Sequence, residues 1–405
     1  MTEGSVEARS FAFRVALFYG ALFVIYGTHV PFTPVWLAWR GLSAGEISAV
    51  MAAPFFLRVF FTPAVALAAD RHGAHRLAMI ALAWAGLAVV LALSQASGFW
   101  AILFLIVPLV ICNSTLMPLA ETVAVRGVRE AGLDYGRMRL WGSLTFIAAS
   151  FAGGLVIDRA GAGAGIWMVA GGCLLTVAAA HLLPRHAKGS APSLSPRRPL
   201  WHAAEPRQLL ASKPFLAFLL AAGAVQAAHA TLLTYATLLW QNQGMSAGLC
   251  GALWAVAVLA EVALFAYSGA LLQRFGATNL LIAGAALSIL RWGVMAFDPP
   301  LAVLVPLQVL HAVTYGGAHI GAIHFIHQAV PPAMQGSAQA LYATIASGVA
   351  MGVATLIAGH LYAAHGGQSY LAMAALSGIG LVAALALKRW WQGEVLELGT
   401  GEGRH

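Results

Sequence analysis

Residues 41–45 read Gly41-Leu42-Ser43-Ala44-Gly45, and 203 residues later the chain reads Gly244-Met245-Ser246-Ala247-Gly248. At the same displacement Asp70-Arg71-His72-Gly73 falls on Gln273-Arg274-Phe275-Gly276. Each of these pairs of marks brackets an apolar run, 44–68 in the first copy and 247–271 in the second. Both runs exceed the roughly 20 residues that a helix needs to cross a bilayer. Two matches at one offset, at opposite ends of the same apolar segment, mark an internal duplication. The chain therefore reads as two homologous halves.

Outward from that pair the same kind of segment recurs twelve times in all. The spans lie near 12–37, 44–68, 77–95, 99–123, 138–158 and 165–183, then 214–240, 247–271, 277–297, 300–326, 337–362 and 368–389. Of the 405 residues 60% are hydrophobic and only 9% charged. Water-soluble domains carry about a quarter charged residues, so a single soluble globule is excluded. The 43 glycines suit membrane helices, where small residues allow backbones to approach. Cys112, Cys173 and Cys250 all sit in apolar stretches, so no disulfide framework is expected. The first span is interrupted by Pro31 and Pro34 and is followed by no small-residue cleavage site, which argues against a cleavable leader. The proline-broken segment 184–213 reads as a linker. The expected fold is an all-α membrane protein with twelve transmembrane helices in two pseudo-symmetric six-helix bundles. They occupy 1–183 and 214–405, joined by the cytoplasmic linker 184–213.

An even number of spans puts both termini on one side. With cytoplasmic termini, 18 of the 22 Lys and Arg residues fall inside, against Arg40 and Arg159 outside and Arg58 and Arg291 within spans. That asymmetry follows the positive-inside rule. It accounts for the net charge of +8 without a nucleic-acid partner. The expected location is a bacterial cytoplasmic membrane.

Gly244-x-Ser246-x-Gly248 matches the pattern of a hydrolase nucleophile elbow, which requires a strand–turn–helix. Here it precedes a helix in a short turn, as its twin at 41–45 does, so Ser43 and Ser246 read as helix N-caps. No metal-ligand pattern appears among the 14 scattered histidines. No catalytic constellation is present, and the chain does not read as an enzyme.

The run Asp70-Arg71-His72-Gly73-Ala74-His75-Arg76 resembles the loop between helices 2 and 3 of the major facilitator superfamily, with Ala66 replacing its first glycine. Parallel duplicated halves with a midplane substrate site suit that architecture. The resemblance implies a gating role for Asp70, Arg71, Gly73 and Arg76, and for Arg274 and Gly276 in the repeat. Tyr135-Gly136-Arg137-Met138-Arg139-Leu140-Trp141-Gly142-Ser143 is similar to a signature of the 3-phenylpropionate/proton symporter-like branch, itself similar to lactose permease-type sugar/proton symporters. Gln226, His229, Trp254, Glu261, Arg291 and His311 add matches along the chain. The resemblance implies alternating access driven by a proton gradient, without a cofactor, in a monomer.

Ionisable residues inside spans are costly and mark function by default. Those within spans or at their ends are Arg58, Glu121, Arg139, Glu261 and Arg291. Glu121 and Arg139 flank one loop, so a hairpin brings them near each other; the sugar symporters place a substrate-contacting pair there. Glu261 is the repeat counterpart of Arg58. A carboxyl near mid-span suits proton carriage, with Arg291 and His311 as partners. Gln308, His311, Tyr315 and His319 share one helical face. Gln226 and His229 lie one turn apart, and Tyr26 is the repeat counterpart of His229. Trp141 and Trp254 are candidates for stacking on a ring. Where the sugar symporters carry a proton-site Glu three residues after the histidine, this chain has Thr314.

These residues suit uptake of a small organic solute together with protons, an arylpropionate-like carboxylate first. A sugar or nucleoside, export of hydrophobic compounds, and a non-transporting sensor stand as alternatives.

Overall fold

A computed structural model of the chain describes residues 3–184 and 204–397. The described residues are helical, with no strand among them. Six helices come first: α1 (Glu3–Trp39), α2 (Ala44–His72), α3 (His75–Gln95), α4 (Phe99–Ala131), α5 (Tyr135–Ala160) and α6 (Ala164–Leu182). After the short helix Ala204–Ala211 come α7 (Lys213–Asn242), α8 (Ala247–Ala266), α9 (Ser268–Met295) and α10 (Leu301–Ala329). Eleven continuous helical runs are long and apolar enough to cross a membrane. The last, Pro332–Trp390, is broken by a tight turn at Gly366–Ser369 into α11 (335–365) and α12 (Tyr370–Trp390), which gives the twelve expected helices. Most of the expected linker lies outside the described residues, as do Arg185, Lys188, Arg197, Arg198 and Arg404. The described end of that segment is helical, Ala204–Ala211. Glu205 anchors that short helix by accepting a hydrogen bond from Ser337 Oγ at 2.6 Å.

The duplication is written in the backbone. Gly41 and Gly244 adopt φ of 85° and 86°, and Gly73 and Gly276 adopt 59° and 74°. Each is in the left-handed region that L-residues with a Cβ avoid. Ser43 caps α2 in a reciprocal capping box: Glu46 N donates to Ser43 Oγ at 3.4 Å, and Ser43 N donates to Glu46 Oε2 at 2.8 Å. Ser246 Oγ accepts from Leu249 N at 3.2 Å at the start of α8. Both serines of the apparent nucleophile elbow are therefore caps.

By compactness the described chain divides into one unit of 3–184 with 232–259 and another of 204–231 with 260–397. This division does not follow the repeat, because the segment joining α7 to α8 packs with α1–α6.

In the first unit, glycines let helices meet backbone to backbone. A Cβ on Gly27 would lie 2.7 Å from Phe146 O, and one on Gly172 3.0 Å from Ile25 N. The same holds where α5 meets α8: a Cβ on Gly154 would lie 2.2 Å from Ala247 O, and one on Gly251 2.1 Å from Ser150 O. Asp158 of α5 completes this seam. Its Oδ1 accepts from Ala247 N at 2.7 Å and its Oδ2 from Gly248 N at 2.8 Å, filling donors that the first turn of α8 leaves open.

The second unit packs the first part of α7 with α9, α10, α11 and α12 around Phe218, which stacks on Phe325 at 4.5 Å. Its helices are irregular at mid-length. Helix α7 opens into a turn at Ala228–His229, and α10 and α11 contain π-helical segments at Ala312–Gly317 and Ala343–Ala350. Such widenings concentrate at functional sites, and irregular backbone at membrane depth persists where it is buried in protein or lines a cavity.

Candidate functional site

The first unit encloses a cavity of about 360 Å³ among α1, α2, α4 and Leu233. Most of its wall is apolar, including Ile25, Met51, Pro54 and Phe55. Its polar groups are Tyr26, His29, Arg58, Asn113 and Ser114. Tyr26 OH donates to Asn113 O at 2.9 Å, and His29 Nδ1 lies 2.8 Å from Thr33 Oγ1. Arg58 lays its guanidinium over Phe55, 4.7 Å from the ring centre, which supports the charge with an aromatic face. Among the described lining residues Arg58 is the one arginine or lysine, and none is a carboxylate.

Arg139, at the start of α5, covers Phe23 at 4.1 Å and Tyr19 at 5.6 Å. Glu121, in α4, accepts from Tyr135 OH at 3.4 Å. The expected hairpin forms, and its guanidinium settles on aromatic faces while its carboxylate takes a phenol.

The second unit holds a buried polar cluster. Arg291, fully buried in α9, donates from Nη1 to His311 Nδ1 and Thr314 Oγ1, each at 3.1 Å, and from Nη2 to Gln308 Oε1 at 3.0 Å. His229 sits edge-on to Trp292 at 5.0 Å and to Tyr315 at 5.3 Å, while Tyr315 stacks on His311 at 5.2 Å. Because a carbonyl only accepts, the 2.9 Å contact from His229 Nδ1 to Val225 O puts a proton on Nδ1. His229 Nε2 then faces Thr314 Oγ1 at 3.4 Å. Thr314 thus joins Arg291 to His229, in the place where the resemblance would have put a carboxylate. Glu261 lies against the π-helical part of α10, where a Cβ on Gly316 would be 3.2 Å from its Cγ.

Several expected residues lie elsewhere. His319 is exposed, and its Nδ1 is 3.5 Å from Tyr342 OH. The π-helical turn widens α10 between His311 and His319, so the face drawn for a regular helix does not continue. Trp141 is 56% exposed and borders a groove of about 870 Å³ with Phe13, Leu17 and Leu182. Trp254 is buried against Trp240 and donates to Thr237 Oγ1 at 3.0 Å. Neither tryptophan is among the residues lining the cavity of the first unit. Gln226 is buried one turn before His229. In the loop after α2, His75 Nε2 takes Asp70 Oδ1 at 2.8 Å. Arg76 closes the end of α6 by donating to His181 O at 2.7 Å and Leu183 O at 2.9 Å. Arg71 falls in the last turn of α2, and Gly73 caps it. Arg274 stacks on Phe275 at 5.6 Å, and Gly276 breaks the helix that follows. Asn113 and Tyr370 were not singled out from sequence. Asn113 is a buried amide inside an apolar span, a signal that a survey of charges passes over.

Residues 12–372 match the model of the MFS_1 like family. The chain belongs to that family. It is 30% identical over 367 residues to the probable 3-phenylpropionic acid transporter of Escherichia coli (strain K12), covering 86% of this chain and 90% of the relative. It is 31% identical to the maltose permease of Geobacillus stearothermophilus, covering 85% of this chain and 86% of that one. The fold matches the crystal structure of nucleoside transporter NupG with a TM-score of 0.79 at 16% identity, covering 94% and 98% of the two chains. As a member of this family the chain is a multi-pass membrane transporter of a small molecule, not an enzyme.

Proposed function

We propose that this transporter is a proton-coupled symporter of a small aromatic carboxylate. The observation that carries the reading is the cavity of about 360 Å³, apolar and aromatic in its wall, with Arg58 as the one arginine or lysine among its described lining residues. A guanidinium recognises a carboxylate through paired N–H donors, and the apolar wall suits a ring. The relative named as a 3-phenylpropionic acid transporter supports the same chemistry. Glu261 carries the proton, assisted by Arg291 and His311, and Arg139 adds positive potential beside Glu121. The two bundles at 1–183 and 214–405, with cytoplasmic termini in a bacterial inner membrane, alternate access as a monomer with the proton gradient as the energy source. The loops at Asp70–Arg76 and Arg274–Gly276 act as gates.

A neutral sugar or nucleoside is the second reading. It is favoured by Glu121 and Tyr135, a carboxylate and a phenol suited to hydroxyl groups, and by the relative named as a maltose permease.

Uptake into proteoliposomes under an imposed pH gradient tests both. Accumulation of phenylpropionate that collapses with a protonophore is the expected result. Accumulation of maltose or a nucleoside, with phenylpropionate excluded, would replace the first reading by the second.

A further inference from the structure

A guanidinium has five N–H donors. At Arg291 three are taken, by His311 Nδ1, Thr314 Oγ1 and Gln308 Oε1. Nε is buried without a partner. In a guanidinium Nε–H and one N–H of Nη2 run parallel along one edge, the geometry that grips two carboxylate oxygens or a single spherical anion. The carboxamide Nε2 of Gln308 belongs to the amide that binds Nη2, and it too is buried and unpartnered. The indole Nε1 of Trp292, whose ring lies 4.5 Å from the guanidinium carbon, is in the same condition. So is the hydroxyl of Tyr370, which stacks on Trp292 at 5.6 Å.

Of these unused groups Arg291 Nε, Gln308 Nε2 and Trp292 Nε1 can only donate, while the Tyr370 hydroxyl can donate or accept. The acceptors that Arg291 has found are an amide, a hydroxyl and an imidazole, none of them anionic. A buried cation surrounded by unspent donors calls for negative charge. A water molecule would supply acceptors but would not balance the charge.

We propose that the unpartnered, buried Nε side of Arg291, with the Gln308 carboxamide, is a binding site for a small monovalent anion, either a halide or a carboxylate group, reached when the helices around it part. The inference rests on this geometry and not on the transport reading, and its test needs no proton gradient.

Thermal unfolding of the purified full-length protein is measured in sodium chloride, bromide, acetate and isethionate at equal ionic strength. The expected result is a concentration-dependent rise in melting temperature with one of the small anions over bulky isethionate. Stabilisation by halide identifies a resident inorganic ion. Stabilisation by acetate alone identifies a carboxylate site, hence the end of an organic acid. Gln308→Glu keeps the acceptor for Arg291 Nη2, replaces the donor by an oxygen and supplies the negative charge itself, and should abolish the anion effect. Arg291→Gln should abolish the effect. Bromide anomalous scattering at the Arg291 edge gives a direct readout should Arg291→Gln fail to fold. No anion-specific stabilisation in the unsubstituted protein, or an undiminished one in Gln308→Glu, overturns the proposal and leaves the edge to water.

Discussion

Arg291 Nη1 lies 3.1 Å from His311 Nδ1, and this contact fixes the state of the imidazole. A guanidinium can only donate, so Nδ1 must accept, and His311 is neutral with its proton on Nε2. A proton arriving at Nδ1 would break the contact and set two cations side by side. Arg291→Lys keeps the charge but loses the planar fork that reaches three partners at once. The expected outcome is a transport rate at least tenfold lower, with the melting temperature reduced by several degrees. Uptake assays and calorimetry on the same preparation check both.

Glu261→Gln should abolish accumulation against a gradient while preserving exchange of labelled for unlabelled substrate. A carboxamide fills the same space and cannot carry a proton. Gly316→Ala tests the same site from the other side. Its Cβ would lie 3.2 Å from Glu261 Cγ, so the carboxyl must shift by a few tenths of an ångström. Slower accumulation with wild-type stability is expected; full accumulation by Glu261→Gln would remove Glu261 from the proton path.

Arg58→Ala should raise the KM for an anionic substrate about ten- to hundredfold, the range for losing a hydrogen bond to a charged group. Folding should be little affected, because the side chain is half-buried and borders an open cavity. Counterflow with phenylpropionate and a neutral isostere separates the effects. Equal losses for both would mean that Arg58 shapes the cavity without reading the charge.

Gly154→Ala places a methyl group 2.2 Å from Ala247 O, in a contact made by backbone on both sides. Overpacking of this kind costs about 1–3 kcal/mol. A lowered melting temperature is expected, with Cys250, the buried cysteine of α8, becoming more reactive to a water-soluble maleimide. Gly171→Ala, where nothing lies within 4 Å, is the control and should neither lower the melting temperature nor raise labelling.

The positions of the spans were legible because hydropathy and charge bias are properties of composition along the chain. The repeat was legible because Gly41 and Gly244 each answer the same backbone need, and Ser43 and Ser246 the same capping need. Charge also marked Arg58, Glu261 and Arg291 as residues to watch. What charge cannot show is which face of a helix a neighbour covers. Trp141 and Tyr26 are both aromatic residues in spans, yet one borders an outward groove and the other a cavity. The π-helical segment of α10 follows from hydrogen bonds between turns and has no compositional mark. It breaks the face drawn through His319 while leaving His311 and Tyr315 stacked. Asn113 was hidden because an amide adds nothing to a charge count.

The seam between α5 and α8 meets through Gly154 and Gly251, with the Asp158 carboxylate seated on two amide hydrogens. Where backbone meets backbone few side chains interlock, so closing the joint again freezes few rotamers. Its polar fastening is one carboxylate on two amides, groups that water can also satisfy, and its apolar part is small: Ile157 with Ala247, and Leu155 beside Gly248. Wetting at Asp158 removes the polar fastening and leaves only that small apolar contact to part.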